Sequence, residues 1–351
     1  MVHTIISYVL IIGLFVIFLK DYKKIDLNNS KKGEYYLDIS SSSALKGICA
    51  ICIICHHWCT YNLHLTNESP FTQFIPFHIG HFCIIIFMFL SGYGIVTVEL
   101  KKKSGWRDYL RGRMWKILKP AWIVAFFTLV IYVLWGPRDI SMDTVSVNWL
   151  HEYMYQISHR EFSAFFFAKY FILHLDWYVM TTLVLYLLLK ISLYLTSDKM
   201  EMFGILCLLI LFFYVLGRLG NFPAHYYRNL WAFPFGVLCA IKPLFLKGKR
   251  LVVVVVVCVV LNLLVEGIHY TVSAILALSL LMYVGFTNRS YKIKSRFLLY
   301  LGSISYAIYL IHRTVYNMLW TYNLLYIQLF IVITLLLAHV FTKIILLKRN
   351  S

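Results

Sequence analysis

The feature that most constrains this chain is a train of apolar stretches, each close to the thickness of a membrane and nearly free of charge. A helix needs roughly 20 apolar residues to cross about 30 Å of hydrocarbon. Eleven stretches approach that length: 5–19, 44–62, 79–98, 117–135, 176–196, 202–217, 229–245, 251–266, 270–286, 298–319 and 324–347. With 61% hydrophobic and only 14% charged residues among 351, too little polar side chain remains to coat a soluble globule. The expected fold is therefore an all-α polytopic membrane protein of about eleven transmembrane helices. The runs at 5–19, 202–217 and 251–266 are short and require tilt or local thinning of the bilayer. The valines at 252–257 favour strands, but a lone strand in lipid leaves its backbone unpaired, so helix is expected there too.

A formal charge of +18 would suit a nucleic-acid binder if it were gathered on one surface. It is not: 27 of the 33 Lys and Arg residues fall in alternate connections, at 20–46, 99–119, 190–200, 242–250, 287–296 and 343–349. The other six are Arg138, Arg160, Lys169, Arg218, Arg228 and Arg313, and the segment 63–78 has none. By the positive-inside rule this puts the N-terminus outside and the C-terminus in the cytoplasm, with lipids as the surroundings and no nucleic-acid partner. The first run lacks a basic leading segment and a small-residue cleavage site, and Lys20, Lys23 and Lys24 follow it, so it reads as a retained anchor. The organisation expected is an anchor with a basic cytoplasmic loop at 1–43 and the main transmembrane domain at 44–347. There is no internal repeat and no matched pair of Gly/Pro-broken spans of the kind transporters show.

Within the second run Lys46 precedes His57 by eleven residues. At about 100° per residue they share a helix face to within about 20°, roughly 16 Å apart along the axis. Ionisable side chains inside a membrane segment are costly and point towards a wet cavity or a task. A lysine snorkelling at the helix start and a histidine hydrogen-bonded at the interface satisfy the same spacing, so both readings stand on these two residues alone. His56 lies about 100° away and reads as packed or interfacial. Cys49, Cys52, Cys55 and Cys59 reproduce an iron–sulfur spacing, but that spacing serves an irregular loop wrapped round a cluster, and here it lies in a membrane helix without the following proline. Packing thiols are the better reading, and no metal or tightly bound cofactor is expected.

Taken in order, Leu45-Lys46-Gly47-Ile48 running to His56-His57, Phe87-Met88-Phe89-Leu90-Ser91-Gly92-Tyr93, the segment Tyr109 to Pro120 (YLRGRMWKILKP), Trp177-Tyr178 and Gly302 to His312 (GSISYAIYLIH) resemble the acyltransferase-3 family. These are membrane-embedded enzymes that O-acetylate surface polysaccharides and related acceptors. The resemblance covers about residues 42–345. It implies a ten-helix bundle, to which this chain adds one N-terminal helix, in a bacterial plasma membrane.

The resemblance also implies roles. The family's basic residue and essential histidine fall on Lys46 and His57. Its R-x-x-R motif falls on Arg113 and Lys116, where lysine replaces the second arginine and keeps a point charge without bidentate geometry. Arg111 stands beside them, and with Lys119 the cluster suits the phosphates of acyl-CoA, the expected donor; charge that only sets the topology is the other reading of each. Ser305, Tyr309 and His312 share a face and are candidate acceptor-binding residues, with a helix contact as the other reading. Asp176 and Glu266 could orient a histidine or simply be solvated. Acyl transfer from a thioester to a sugar hydroxyl needs a base, and a partly buried imidazole suits that work. The expected function is transfer of acetyl or another short acyl group from cytoplasmic acyl-CoA to an extracytoplasmic glycan; the alternative is a polysaccharide transporter or flippase without acyl transfer.

Overall fold

The structure, a computed structural model, describes residues 2–24, 37–61, 74–135, 177–222, 226–227, 229–242, 268–287, 291–293, 295–321 and 326–346, with isolated positions between 253 and 264. The helices are α1 (Val2–Asp21), α2 (Ile39–Tyr61), α3 (Gly80–Lys102), α4 (Trp106–Tyr109) and α5 (Trp115–Trp135), then α6 (Trp177–Leu195) and α7 (Lys199–Leu219). After them come α8 (Ala232–Ile241), α9 (Ile268–Thr287), α10 (Arg296–Thr321) and α11 (Ile327–Phe341).

Seven of these units are long and apolar enough to cross a membrane among the described residues: α1, α2, α3, the α4–α5 run to Ile131, α6, α7, and α11 with its following turn. Helices also stand at three more of the expected spans. Of these, α8 is short, the apolar part of α9 runs over Thr271–Gly285, and α10 is 26 residues long but more polar along one side. The expected span 251–266 falls largely outside the described residues, as do Asp176, Glu266 and most of the segment 63–78. The chain is a helical, multi-pass membrane protein, and the count of about eleven spans is met only in part.

Two glycine contacts assemble the core. A Cβ added to Gly47 of α2 would lie 2.7 Å from the backbone nitrogen of Gly302 in α10, and one on Gly302 would meet the carbonyl of Ser43. Gly92 of α3 and Gly236 of α8 do the same for a second pair, pressing on the carbonyls of Phe233 and Phe89. In lipid there is no hydrophobic drive between helices, so such close backbone approach is what makes the dispersion contact large. Around these pairs pack Leu45, Ile48, Phe89 and Phe233, all fully buried.

The additional helix α1 lies against α2, with the Cys59 thiol 3.8 Å from the Ser7 hydroxyl, and its Phe15 meets Phe82 of α3. At its end Tyr22–Lys24 pairs antiparallel with Tyr291–Ile293, Tyr22 opposite Ile293, and the Ser295 N–H donates to the Asp21 carboxylate. So α1 is tied to the bundle at both ends. The four cysteines of α2 sit on regular helix and are buried, Cys49 and Cys52 against Cys83.

Candidate functional site

The glycine contact sets what happens further along the same two helices. Ten residues beyond Gly47 comes His57, and ten residues beyond Gly302 comes His312. Helices that touch at the first pair and run side by side bring the second pair together about 15 Å further on. The two imidazoles stack, with centroids 4.8 Å apart and planes inclined by 26°. His312 is only 2% exposed, and its Nδ1 lies 2.6 Å from the Tyr309 carbonyl. A carbonyl can only accept, so Nδ1 carries the hydrogen and the lone pair of the neutral ring is at Nε2.

The other rings of this end close round the pair. Tyr309 packs against His312 at 5.8 Å and edge-on to Tyr178 at 5.2 Å. His56 meets His57 edge to face at 4.8 Å; its Nδ1 donates to the Ile75 carbonyl at 3.4 Å, and its ring lies on Gly80. His56 is thus held by ring, carbonyl and glycine contacts. Deeper in the bundle, the Ser91 hydroxyl of α3 stands 3.5 Å from the Tyr178 hydroxyl, with Tyr186 beside it. A line of hydroxyls thus leads from the imidazole pair into the middle of the protein.

At the other end of α3, about 28 Å from Gly80 at 1.5 Å per residue, the chemistry is ionic. Glu99, 2% exposed, takes the Arg113 Nε–H on Oε1 at 3.3 Å. The same carboxylate accepts the Ser104 hydroxyl and the Ser104 N–H, each at 3.3 Å. Lys190 of α6 donates to the Ser104 carbonyl at 2.5 Å and lies 5.2 Å over the Tyr109 ring and 5.8 Å over Trp106. Between α4 and α5 the π-helical turn Leu110–Met114 carries Arg111 and Arg113, and Pro120 withholds an N–H one turn later. The basic residues therefore stand where the helix is least regular.

Of the residues singled out by sequence, the structure brings together His57, Tyr309 and His312. Ser305 is on the same helix about 10 Å below His312, buried, with its hydroxyl given to the Gly302 carbonyl at 2.9 Å. Lys46 lies half-buried on the His57 helix, towards the ionic end. Arg113 is engaged by Glu99, whereas Arg111 and Lys116 are exposed. Lys119 lines a groove of about 340 Å³ with Trp115, Trp122, Ile123, Phe126 and Phe127.

Sequence reading passed over two residues. Lys190 counts there as one more loop charge, yet it is only 8% exposed, and Glu99, 2% exposed, has no place among the candidates. Both carried a signal: Glu99 is the one acid in α3 and Lys190 the one charge in α6. A charge that stands alone of its sign in a largely apolar membrane helix calls for a partner.

Residues 35–347 match a family model described as an acyltransferase domain, that of the acyltransferase-3 family. No curated protein and no solved structure matches the chain.

Proposed function

The chain belongs to the acyltransferase-3 family, and on that premise we propose that it moves acetyl, or another short acyl group, from cytoplasmic acyl-CoA to a hydroxyl of an extracytoplasmic glycan. The observation that carries this reading is the separation of two unlike sites along one bundle. A stacked imidazole pair stands at the end assigned to the outside by the charge pattern, and a clamped guanidinium stands at the end assigned to the cytoplasm. The hydroxyls of Ser91, Tyr178 and Tyr186 lie between them.

In this reading Arg113, with Arg111 and Lys116 beside it, holds the phosphates of the donor. The pantetheine arm, long enough to span much of the membrane, rises past Ser91 towards the imidazoles. His57 takes the proton of the acceptor hydroxyl as its oxygen adds to the thioester carbonyl. The tetrahedral intermediate collapses, the carbon–sulfur bond breaks, and the proton passes to the departing thiolate, leaving an ester and free thiol. His312, its hydrogen fixed on Nδ1, holds the His57 ring face, and Tyr309 borders the acceptor. Lys46, on the same helix and nearer the donor end, is placed to meet the arm on its way.

Two measurements test this. Purified protein in nanodiscs is expected to bind acetyl-CoA, and cell-surface glycans are expected to lose an acetyl mass when His57 is replaced in the intact cell. A folded protein that binds no acyl-CoA would instead favour a glycan transporter.

A further inference from the structure

Glu99 is a buried carboxylate in what the proposed reading makes an anion site, which is an odd place for one. A carboxylate near a phosphate repels it, so its presence requires a reason. The geometry supplies one. Glu99 sits in the last turn of α3, and Lys103 directly after the helix adopts a left-handed backbone (φ 45°) with its N–H on the Glu99 carbonyl. That reversal folds Ser104 back on the Glu99 side chain, and Lys190 holds the reversal from α6 through the Ser104 carbonyl. The carboxylate is thus fixed from two sides before Arg113 reaches it.

Arg113 presents only its Nε–H to Glu99. A guanidinium is a flat fork, and a carboxylate on its Nε side leaves the two Nη groups at the far end. Among the described residues those groups have no hydrogen-bond partner, and the side chain is 26% exposed. The charges also do not cancel: Arg113 and Lys190 stand against one carboxylate, so the cluster keeps one positive charge in excess. A clamped fork with an excess of positive charge is pre-organised for a bidentate anion, because the cost of ordering a long side chain is met before the ligand arrives.

We infer that Glu99 is a positioning residue for the donor phosphate: it turns Arg113 so that the two Nη groups face a phosphate of acyl-CoA, and Lys190, through Ser104, holds Glu99 in place. This rests on the reading that Arg113 binds the donor. It differs from a plain structural tie between α3 and the start of α5 in one respect: all of the effect of Glu99 on donor binding passes through Arg113.

The test is calorimetric titration of free coenzyme A into the full chain in nanodiscs, for wild type, Glu99→Ala, Arg113→Gln and the double variant, with thermal unfolding as the check on folding. Glu99→Ala is expected to weaken binding about tenfold, and Glu99→Gln, whose amide oxygen still accepts the Nε–H, to recover most of that loss. In the Arg113→Gln background Glu99→Ala is expected to cost less than about twofold. The same tenfold loss in that background, or full affinity in folded Glu99→Ala, overturns the inference while leaving Arg113 in its role. Equal affinities for wild type and Arg113→Gln would overturn the donor reading itself, and this inference with it. Should Glu99→Ala fail to fold, the cycle is run with Glu99→Met, which fills the space but accepts no hydrogen bond from Nε–H, and a loss in the Arg113→Gln background equal to its loss in the wild type is the overturning result.

Discussion

The two ends of the bundle hold their key side chains by opposite means. At the end of His57 and His312 the fixing contacts are ring faces and one backbone carbonyl. At the end of Arg113 they are an ion pair, two further hydrogen bonds to the same carboxylate and a buried lysine. The difference follows from what each end is proposed to do. A base must gain and lose a charge within a catalytic cycle, so a partner that pinned its charge would work against it. A phosphate holder must keep its charge at all times, and a buried carboxylate that orients an arginine does no harm so long as positive charge remains in excess.

The largest effect is expected where the comparison is sharpest. His57→Ala should abolish transfer, a fall of at least about 10²-fold for loss of a general base, with donor binding kept, because the donor's nucleotide is held at the other end. His56→Ala should retain a good part of the activity. Transfer assays beside coenzyme A titrations on the same preparations check this, and a folded His57→Ala enzyme near wild-type rate would remove the base from this end altogether.

The glycine contact beneath the imidazoles comes next. Gly302→Leu drives side-chain atoms into the Ser43 carbonyl and must push α10 from α2. Overpacking of this kind costs about 1–3 kcal/mol, and ten residues on it should unstack His312 from His57 and remove most of the transfer. Gly94→Ala, where an added Cβ meets nothing within 4 Å, is the control and should behave as wild type. Thermal unfolding and transfer rate read the two effects separately; a folded, active Gly302→Leu protein would mean that the imidazole stack does not depend on this contact.

What could be read in the sequence divides along the same line. The helices, the shared face of Lys46 and His57 and the grouping of Tyr309 with His312 follow from hydropathy and a period of 3.6, which are local properties of the chain. That His57 meets His312 depends on α2 and α10 touching at Gly47 and Gly302, 255 positions apart, and no local pattern states which helices touch. Glu99 shows the same limit in another way. Its partner Arg113 lies across a reversal at Lys103 and an irregular helical turn, so helical spacing does not put the two together. In sequence Lys190 groups with loop charges because it borders a basic segment, while in space the reversal at Lys103–Ser104 covers it. The number of spans was harder still, since α8 and α10 fall short in length or hydropathy although both pack in the core.

At the ionic end the expected effects are graded. Arg113→Gln should weaken coenzyme A by about 1–3 kcal/mol, tenfold or somewhat more, through loss of a charge-assisted contact. Lys116→Gln, starting from an exposed ammonium, should cost less, and Lys116→Arg should be tolerated, since guanidinium reaches phosphate at least as well. Titrations with coenzyme A rank the three. If Lys116→Gln costs more than Arg113→Gln, the clamped residue is not the principal holder and the contrast between clamped and free cations fails.

The smallest effect belongs to a carboxylate at the same end that differs from Glu99 in being exposed to water. Asp198 caps α7, its Oδ1 accepting the N–H groups of Met200 and Glu201 at 2.8 and 2.9 Å. Those bonds, Glu201's first, hold its carboxyl below the usual carboxylate range. A carboxyl lowered in the folded state stabilises it above the unfolded value, about 3.9 for Asp, and that contribution is lost as pH falls through the folded value. Asp198→Ala should therefore lower the melting temperature slightly at pH 7, and the gap from wild type should close as the pH is brought below 3.9. Asp198→Asn keeps an accepting oxygen without the charge and should show a gap from wild type that shrinks in the same range while retaining part of the cap. Unfolding curves in detergent at several pH values decide it. A gap between wild type and Asp198→Ala that stays constant across that range would mean that the cap acts by shape alone.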